Sequence, residues 1–99
     1  MFVTVYSYRA KAGQEEAIIA LFDEWEHDRL PRAKGFVSGE LLRDIRDARS
    51  FITLARFESA EAARAAADAP EQDAWYRRLV NLTEQEPVFT DCDIEWRIR

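Results

Sequence analysis

The feature that most constrains the fold is the order of its segments along the chain. Some segments have the composition and alternation of strands, and others have apolar residues at helical spacing. Residues 2–9 carry β-branched and aromatic side chains on both alternating sets, which is typical of a strand buried on both faces. Residues 14–29 carry apolar side chains at helical spacing, and Pro31 should end that helix because proline disfavours helical geometry in the preceding residue. The chain therefore opens with a predicted strand and a predicted helix.

A predicted hairpin and a second helical unit come next. Residues 36–44 and 51–58 have strand composition and flank the polar turn 47–50. Ser59 is a suitable N-cap for the alanine-rich helix that follows, and Pro70 suits the first turn of a further helix. We therefore expect one helical unit with a break at Pro70.

The last predicted strand, residues 88–99, alternates between an apolar set and a charged set. The apolar set is Val88, Thr90, Cys92, Ile94, Trp96 and Ile98. The resulting order, β-α-β-β-α-β, is that of the ferredoxin-like α+β fold, in which both helical units cover one face of an antiparallel sheet.

The opposite face of this sheet is expected to need a cover. The first and third strands are apolar on both faces, so a bare face would expose an unusually large apolar patch. A second copy of the chain is the simplest cover, because burying several apolar side chains contributes several kcal/mol and two-fold pairing is the commonest symmetry. We expect a homodimer, and a monomer with a mixed face is the alternative.

Size and charge narrow the classes of function. The 99 residues are 47% hydrophobic and 33% charged, which predicts one ordered domain over residues 1–99. Acidic residues exceed basic ones by 19 to 14 without a run of like charge, so nucleic acid is not an expected partner. One cysteine and no apolar run near the roughly 20 residues that span a bilayer predict a cytoplasmic protein without a membrane partner.

Three motifs stand at the junctions between these elements: the glycine before the first helix, the Gly-Phe pair that opens the second strand, and FESAEAA at residues 57–63. Together they resemble the antibiotic biosynthesis monooxygenase family of the dimeric α+β barrel superfamily, which usually has W-x-S-x-E at the third motif. The resemblance covers nearly the whole chain. It implies a pocket between sheet and helices in each subunit, where family members oxidise polycyclic aromatic or quinone-like substrates with molecular oxygen, some without metal or flavin.

The resemblance thus implies a cofactor-independent monooxygenase, yet several residues that carry this chemistry in the family are replaced. An Asn on the third strand and the junction Trp are implicated in such members, and these positions hold Thr53 and Phe57. Haem-degrading relatives use an Asn on the first strand and an iron-binding His on the second helix, where this chain has Tyr6 and Trp75. Haem degradation is therefore disfavoured. The alternative function is a non-catalytic small-molecule-binding or accessory domain of the same fold.

The candidate site consists mainly of aromatic side chains expected to converge between sheet and helices. An apolar cavity with a few hydroxyl groups is the usual composition of a small-molecule site, although packing in a small core is the alternative. Tyr6 and Tyr8 are the best catalytic candidates, because their hydroxyls would hold a substrate phenol or enolate. The predicted substrate-binding residues are Tyr6, Tyr8, Phe22, Trp25, Thr53, Phe57, Trp75 and Leu79.

The remaining reactive side chains are assigned to structure. His27 is expected to face solvent, and Cys92 to be a buried small hydrophobic residue without a histidine to activate it. No second His or Cys stands at ligand spacing, so no metal site is expected. Arg43, Arg56 and Arg78 are candidates for binding an anionic group, with a surface or interface role as the alternative.

Overall fold

The computed structural model describes residues 1–98. Its elements, in chain order, are β1 (Phe2–Arg9), α1 (Glu15–Asp28), a 3₁₀ turn (Leu30–Arg32), β2 (Phe36–Arg43), β3 (Ser50–Phe57), α2 (Ala60–Asp68), α3 (Pro70–Asn81) and β4 (Val88–Asp93). The four strands form one antiparallel sheet in the order β2-β3-β1-β4. This arrangement confirms the predicted ferredoxin-like α+β fold.

The helix boundaries follow the predicted signals. The Ser59 hydroxyl accepts a hydrogen bond from the Ala62 amide at 3.1 Å and so caps α2. The break predicted at Pro70 is also present, because Ala69 is extended and Pro70 begins α3. Proline at this position loses no helical hydrogen bond, since the first amides of a helix have no partner within it.

Gly35 is required where the Gly-Phe pair opens β2. Its φ is +80°, and a Cβ placed there would lie 2.6 Å from the Cβ of Ala62 on α2. A larger residue would therefore meet both backbone strain and a clash with α2. Glycine at this position lets the start of β2 pass close beneath the first turn of α2.

The fourth strand is shorter than predicted. The sequence pattern predicts a strand over residues 88–99, but β4 ends at Asp93. The physical reason is the register: Asp93 lies opposite Phe2, the first residue of β1, so no further strand is available for pairing. The Ile94 amide makes one more hydrogen bond, to the Met1 carbonyl at 3.1 Å. Trp96 and Ile98 are exposed, and Arg99 lies outside the described residues.

A core forms where α1 and α3 pack on the sheet. Its buried members are Tyr8, Ala10, Ile18, Leu21, Phe51, Trp75 and Leu79. The indole nitrogen of Trp75 donates a hydrogen bond to the Leu21 carbonyl at 2.8 Å, so the polar edge of this large side chain is satisfied inside the core. This contact ties α3 to α1.

The other face of the sheet carries no helix among residues 1–98. Cross-strand pairing places Leu42, Ile52 and Ser7 in one row, and Val88 extends that row onto β4. Ile52 is 43% exposed and Val88 67% exposed. We call this surface, centred on Ile52, the bare face. In the described part of the chain, no helix is both long enough and apolar enough to span a membrane.

Candidate functional site

A cavity of about 560 Å³ lies between the sheet and the three helices. Eight aromatic side chains line it: Tyr6, Phe22, Trp25, Phe36, Phe57, Trp75, Tyr76 and Phe89. A volume within the usual 300–1,000 Å³ of ligand pockets, with apolar walls and a few polar groups, is the composition of a small-molecule site. The cavity is the candidate functional site.

Small residues on two opposing walls create this space. Gly39 of β2 lies beside Ala55 of β3, so the sheet has almost no side-chain volume at that point. The facing wall is α2, which presents Ala63, Ala66 and Ala67 to the cavity. The alanine-rich segment that predicts a helix therefore also keeps the cavity open.

The sheet supplies the polar floor of the cavity. Tyr6 lies directly across from Thr53 on β3 and from Phe89 on β4, so all three side chains share the helix-covered face. Tyr8 lies two residues further along β1, is buried, and forms a 2.8 Å hydrogen bond between its hydroxyl and Thr53 Oγ1. Thr53 thus lines the cavity while Tyr8 supports it from behind.

Both floor tyrosines are kept in the neutral form. Burial is the main cause that raises the pKa of Tyr6, and the neighbouring Tyr8 raises it further. Burial likewise raises the pKa of Tyr8 well above its ordinary value, against a smaller opposing effect of the bond to Thr53. At neutral pH both side chains are therefore uncharged phenols, which are able to donate a hydrogen bond but do not act as bases.

A hydrogen-bonded cluster closes the end of the cavity where α1 meets α3. The Trp25 indole nitrogen donates to Gln72 Oε1 at 2.8 Å. Arg29, which is buried, donates from Nε to the same oxygen at 3.5 Å and lies 3.6 Å from the Glu71 carboxylate. We call Trp25, Arg29 and Gln72 the α1–α3 clasp. It fixes the Trp25 ring and the Gln72 amide, both of which line the cavity.

Carboxylates surround the cavity, and no Arg, Lys or His among residues 1–98 lines it. The acidic residues on the helices beside the cavity are Asp23, Glu26 and Asp73, all of them exposed. Glu40 also borders the cavity, but its position opposite Leu54 turns its carboxylate to the bare face. Glu40 pairs with Arg56 at 2.8 Å and Asp73 with Arg77 at 2.8 Å, whereas Asp23 and Glu26 form no ion pair with the described residues. The electrostatic field at the rim therefore disfavours an anionic ligand.

The arginines predicted as candidates for an anion lie elsewhere. Arg43 pairs with Glu16 at 3.3 Å and stacks on Phe51, and Arg78 pairs with Glu24 at 2.6 Å. Arg56 is held by Glu40. Each guanidinium has a carboxylate partner, and none lines the cavity. These contacts agree with the alternative interpretation, a surface role for the three arginines.

The structure brings six of the eight predicted substrate-binding residues to the cavity. These are Tyr6, Phe22, Trp25, Thr53, Phe57 and Trp75. Two are placed differently. Leu79 is fully buried in the core, and Tyr8 borders a second, more polar cleft beside the β2–β3 turn.

The other reactive side chains are accounted for. His27 is exposed as predicted, and its ring nitrogen Nδ1 lies 2.9 Å from the Asp23 carbonyl. Cys92 is only partly buried and lies on the bare face. Across residues 1–98, no group of three or more His, Cys, Asp or Glu side chains is arranged to hold a metal ion.

Sequence reasoning did not single out Gln72, Phe89 or the small residues as site residues. Gln72 stands three residues before Trp75, and residues three apart on a helix share a face, so helical spacing contained this signal. Phe89 belongs to the charged set of the last strand by alternation, and only the pairing with Tyr6 shows that this set faces the helices.

Comparison with known proteins gives a consistent family assignment. The sequence model of the antibiotic biosynthesis monooxygenase family matches residues 1–78. A comparison with curated proteins gives no match.

Solved structures agree on the fold. The chain is similar to SnoaB, a cofactor-independent oxygenase from Streptomyces nogalater, with 18% identity, a TM-score of 0.87 and coverage of 98% of this chain and 95% of that one. Rv0793 from Mycobacterium tuberculosis is 13% identical, with a TM-score of 0.83 and coverage of 99% and 98%. At these identities the structural likeness establishes the fold alone. The match to the family model, which spans most of the sequence, shows that the chain belongs to the antibiotic biosynthesis monooxygenase family.

Proposed function

We propose that this chain is an oxygenase that acts on a neutral, electron-rich aromatic or quinone-like molecule bound in the cavity, without a metal or an organic cofactor. The observation that carries the proposal is the aromatic cavity of about 560 Å³ with the neutral Tyr6 hydroxyl in its wall. Membership of the family supports the reaction class. The similarity to SnoaB, described as a cofactor-independent oxygenase, supports the absence of a cofactor.

The reaction can proceed without an external reductant. In a tricyclic anthrone, a CH₂ carbon between two aromatic rings loses both hydrogens and gains one oxygen atom as a carbonyl. The second oxygen atom of O₂ leaves as water with those two hydrogens. The carbon supplies the four electrons that reduce O₂, so the substrate itself is the reductant.

Different residues of the cavity are proposed to accept the proton and to stabilise the negative charge. Removing a proton from the substrate places negative charge on its oxygen, and Tyr6, whose side chain lines the cavity, would donate a hydrogen bond to that oxygen. Thr53, held by Tyr8, is another hydroxyl on the same wall. Because the tyrosines stay neutral, the carboxylates of Asp23 and Glu26 are the candidates for accepting the proton.

The rim defines the charge of the substrate. Three carboxylates on the surrounding helices, Asp23, Glu26 and Asp73, and no lining base favour neutral or cationic aromatic molecules over carboxylated or phosphorylated ones. A neutral anthrone or hydroquinone meets this requirement, and its carbonyl and hydroxyl groups match the donors of the cavity.

The proposal includes a homodimer in which residues 1–99 act as one domain. The bare face presents Leu42, Ile52 and Val88 to solvent, and each is more than 40% exposed. A second copy packed sheet to sheet would bury this surface, and at about 25 cal/mol per Å² it would contribute several kcal/mol. The dimer would leave the cavity accessible, since the cavity lies on the opposite side of the sheet.

The test is oxygen uptake with a panel of anthrones and hydroquinones, measured above the rate without protein. The wild type is expected to accelerate uptake, and Tyr6→Phe to reduce kcat/KM by at least about tenfold through loss of the donor. Tyr8→Phe, which acts only through Thr53, should have a smaller effect. If turnover is unchanged in the variant that combines Tyr6→Phe with Tyr8→Phe, these hydroxyls do not stabilise the charge on the substrate.

A second candidate function is ligand binding without chemistry. It is favoured by Thr53 and Phe57, which stand where catalytic relatives carry Asn and Trp. Both functions use the same cavity, so ligand binding without any acceleration of oxygen uptake would select this one.

A further inference from the structure

We infer that Gln72 is a specificity-determining residue that donates a hydrogen bond from its side-chain nitrogen to a carbonyl oxygen of the bound molecule. The inference rests on the proposed function for the location of the ligand, but it concerns recognition and not turnover. It assigns the substrate class more narrowly, as aromatic molecules that carry a ketone or quinone oxygen.

The α1–α3 clasp determines which way the amide points. Two N–H groups, Trp25 Nε1 at 2.8 Å and Arg29 Nε at 3.5 Å, meet the same atom of Gln72. Neither group can accept a hydrogen bond, since an indole N–H and a guanidinium are donors only. The atom they meet must therefore be the amide oxygen, and the flipped amide would set N–H against N–H.

The consequence is an oriented and unused donor. The Gln72 side-chain nitrogen has no hydrogen-bond partner among residues 1–98, and no buried unsatisfied atom is found on Gln72, so this nitrogen is reachable. Gln72 itself lines the cavity. A donor held in place before the ligand arrives loses little conformational entropy on binding, which makes it a selective contact.

The surroundings favour an uncharged acceptor for this donor. The neighbouring rim residues Asp23, Glu26 and Asp73 repel a ligand carboxylate, whereas a ketone oxygen carries no net charge. Aromatic walls hold the ring system to which such an oxygen is attached. A ligand without the oxygen would leave the amide N–H groups unpaired when water is displaced, and that loss creates the preference.

The experiment compares fluorenone with fluorene, two neutral tricyclic molecules that differ by one carbonyl group, in the full chain. Binding is followed by quenching of the fluorescence of Trp25 and Trp75, which line the cavity. The wild type should bind fluorenone roughly three- to tenfold more tightly than fluorene, the range expected for one hydrogen bond.

The decisive variant is Gln72→Glu. It keeps an oxygen for Trp25 and Arg29 but replaces the donor with an acceptor, so the affinity ratio should fall to about one or below. Gln85→Glu adds the same charge on an exposed residue outside the cavity and should keep the wild-type ratio. If Gln72→Glu does not fold, Gln72→Met serves in its place, with the same predicted loss of preference.

The binding measurements have three kinds of outcome. A wild-type preference that persists in the Gln72 variant, or no preference in the wild type, overturns the inference and leaves the oxygenase proposal standing if oxygen uptake is accelerated. Failure of both compounds to bind the wild type overturns the inference together with the location of the ligand. Loss of the preference in Gln72→Glu alone supports it.

Discussion

The two faces of the sheet are built from the same strands and have opposite properties. On the helix-covered face, Tyr6 and Thr53 border a cavity, and Tyr8 and Trp75 beside it have their polar atoms hydrogen-bonded. The bare face carries Ile52, 43% exposed, with apolar neighbours and no cover from the described chain. Both faces carry apolar side chains, but helices cover only one of them.

The comparison shows that an apolar surface becomes a pocket where small residues leave the space between two layers unfilled. Gly39 and Ala66 leave such a space between the sheet and the helical layer, and apolar walls surround it. On the bare face there is no facing layer, and the same kind of surface is expected to attract a second copy.

The largest expected effect is on association through the bare face. Ile52→Asp places a carboxylate at the centre of the proposed interface, twice in each dimer, and should raise the dimer dissociation constant at least about a hundredfold. Ile45→Asp makes the same change at a residue that is 98% exposed in the β2–β3 turn, and it should have no effect. Sedimentation at micromolar concentration should give twice 11.5 kDa for the wild type and 11.5 kDa for Ile52→Asp. A wild-type monomer would contradict the assignment of the bare face.

A smaller effect is expected in the core next to the cavity. Trp75→Phe removes the hydrogen bond to the Leu21 carbonyl and leaves unfilled volume, so the free energy of unfolding should fall by about 2–4 kcal/mol. Trp96→Phe, at a residue 79% exposed, should change it by less than about 0.5 kcal/mol. Urea unfolding measures both. If the free energy of unfolding falls equally in both variants, the hydrogen bond from Trp75 does not stabilise the packing of α3 on α1.

A further effect concerns the dependence of stability on pH. Burial raises the pKa of Tyr6 and Tyr8 in the folded state above the value of 10.0 that they regain on unfolding. Above pH 10 the unfolded chain therefore releases protons that the folded chain keeps, and the free energy of unfolding should fall by about 1.4 kcal/mol per pH unit for each tyrosine.

Urea unfolding on either side of pH 10 tests this dependence. Tyr8→Phe removes one titrating group, so the free energy of unfolding should fall less steeply with pH in this variant. If it falls as steeply as in the wild type, the pKa of Tyr8 is not raised by folding. Of the three tyrosines, Tyr6 and Tyr8 should contribute tyrosinate absorbance only as the chain unfolds.

Local signals in the sequence predicted most of the fold, because capping residues and prolines act within a few positions. Ser59, Pro70 and the glycine before β2 are such signals, and the structure has the predicted helix starts and the break. The end of the fourth strand was not predictable in this way. It depends on the length of β1, which is a property of another segment.

The candidate site was predicted in part for a related reason. Alternation along β1 indicates that Tyr6 and Tyr8 share a face, but it does not indicate where along the strand the cavity lies. The cavity lies above Tyr6 because Gly39 and the alanines of α2 leave space there, while α1 and α3 fill the space above Tyr8. Gln72 was missed since its importance arises from two donors on α1, which only the packed helices bring together.

The most direct test of the central claim, that the space beneath α2 is a ligand site, is to fill it. Ala66 lines the cavity, and its exposed neighbour Ala65 on the same helix does not. Titration of fluorenone against tryptophan fluorescence should show one site per chain in the wild type and in Ala65→Phe. Affinity should be at least about tenfold weaker in Ala66→Phe, since the new ring occupies the space of the ligand. Equal affinity in the two phenylalanine variants, both folded, would contradict the account.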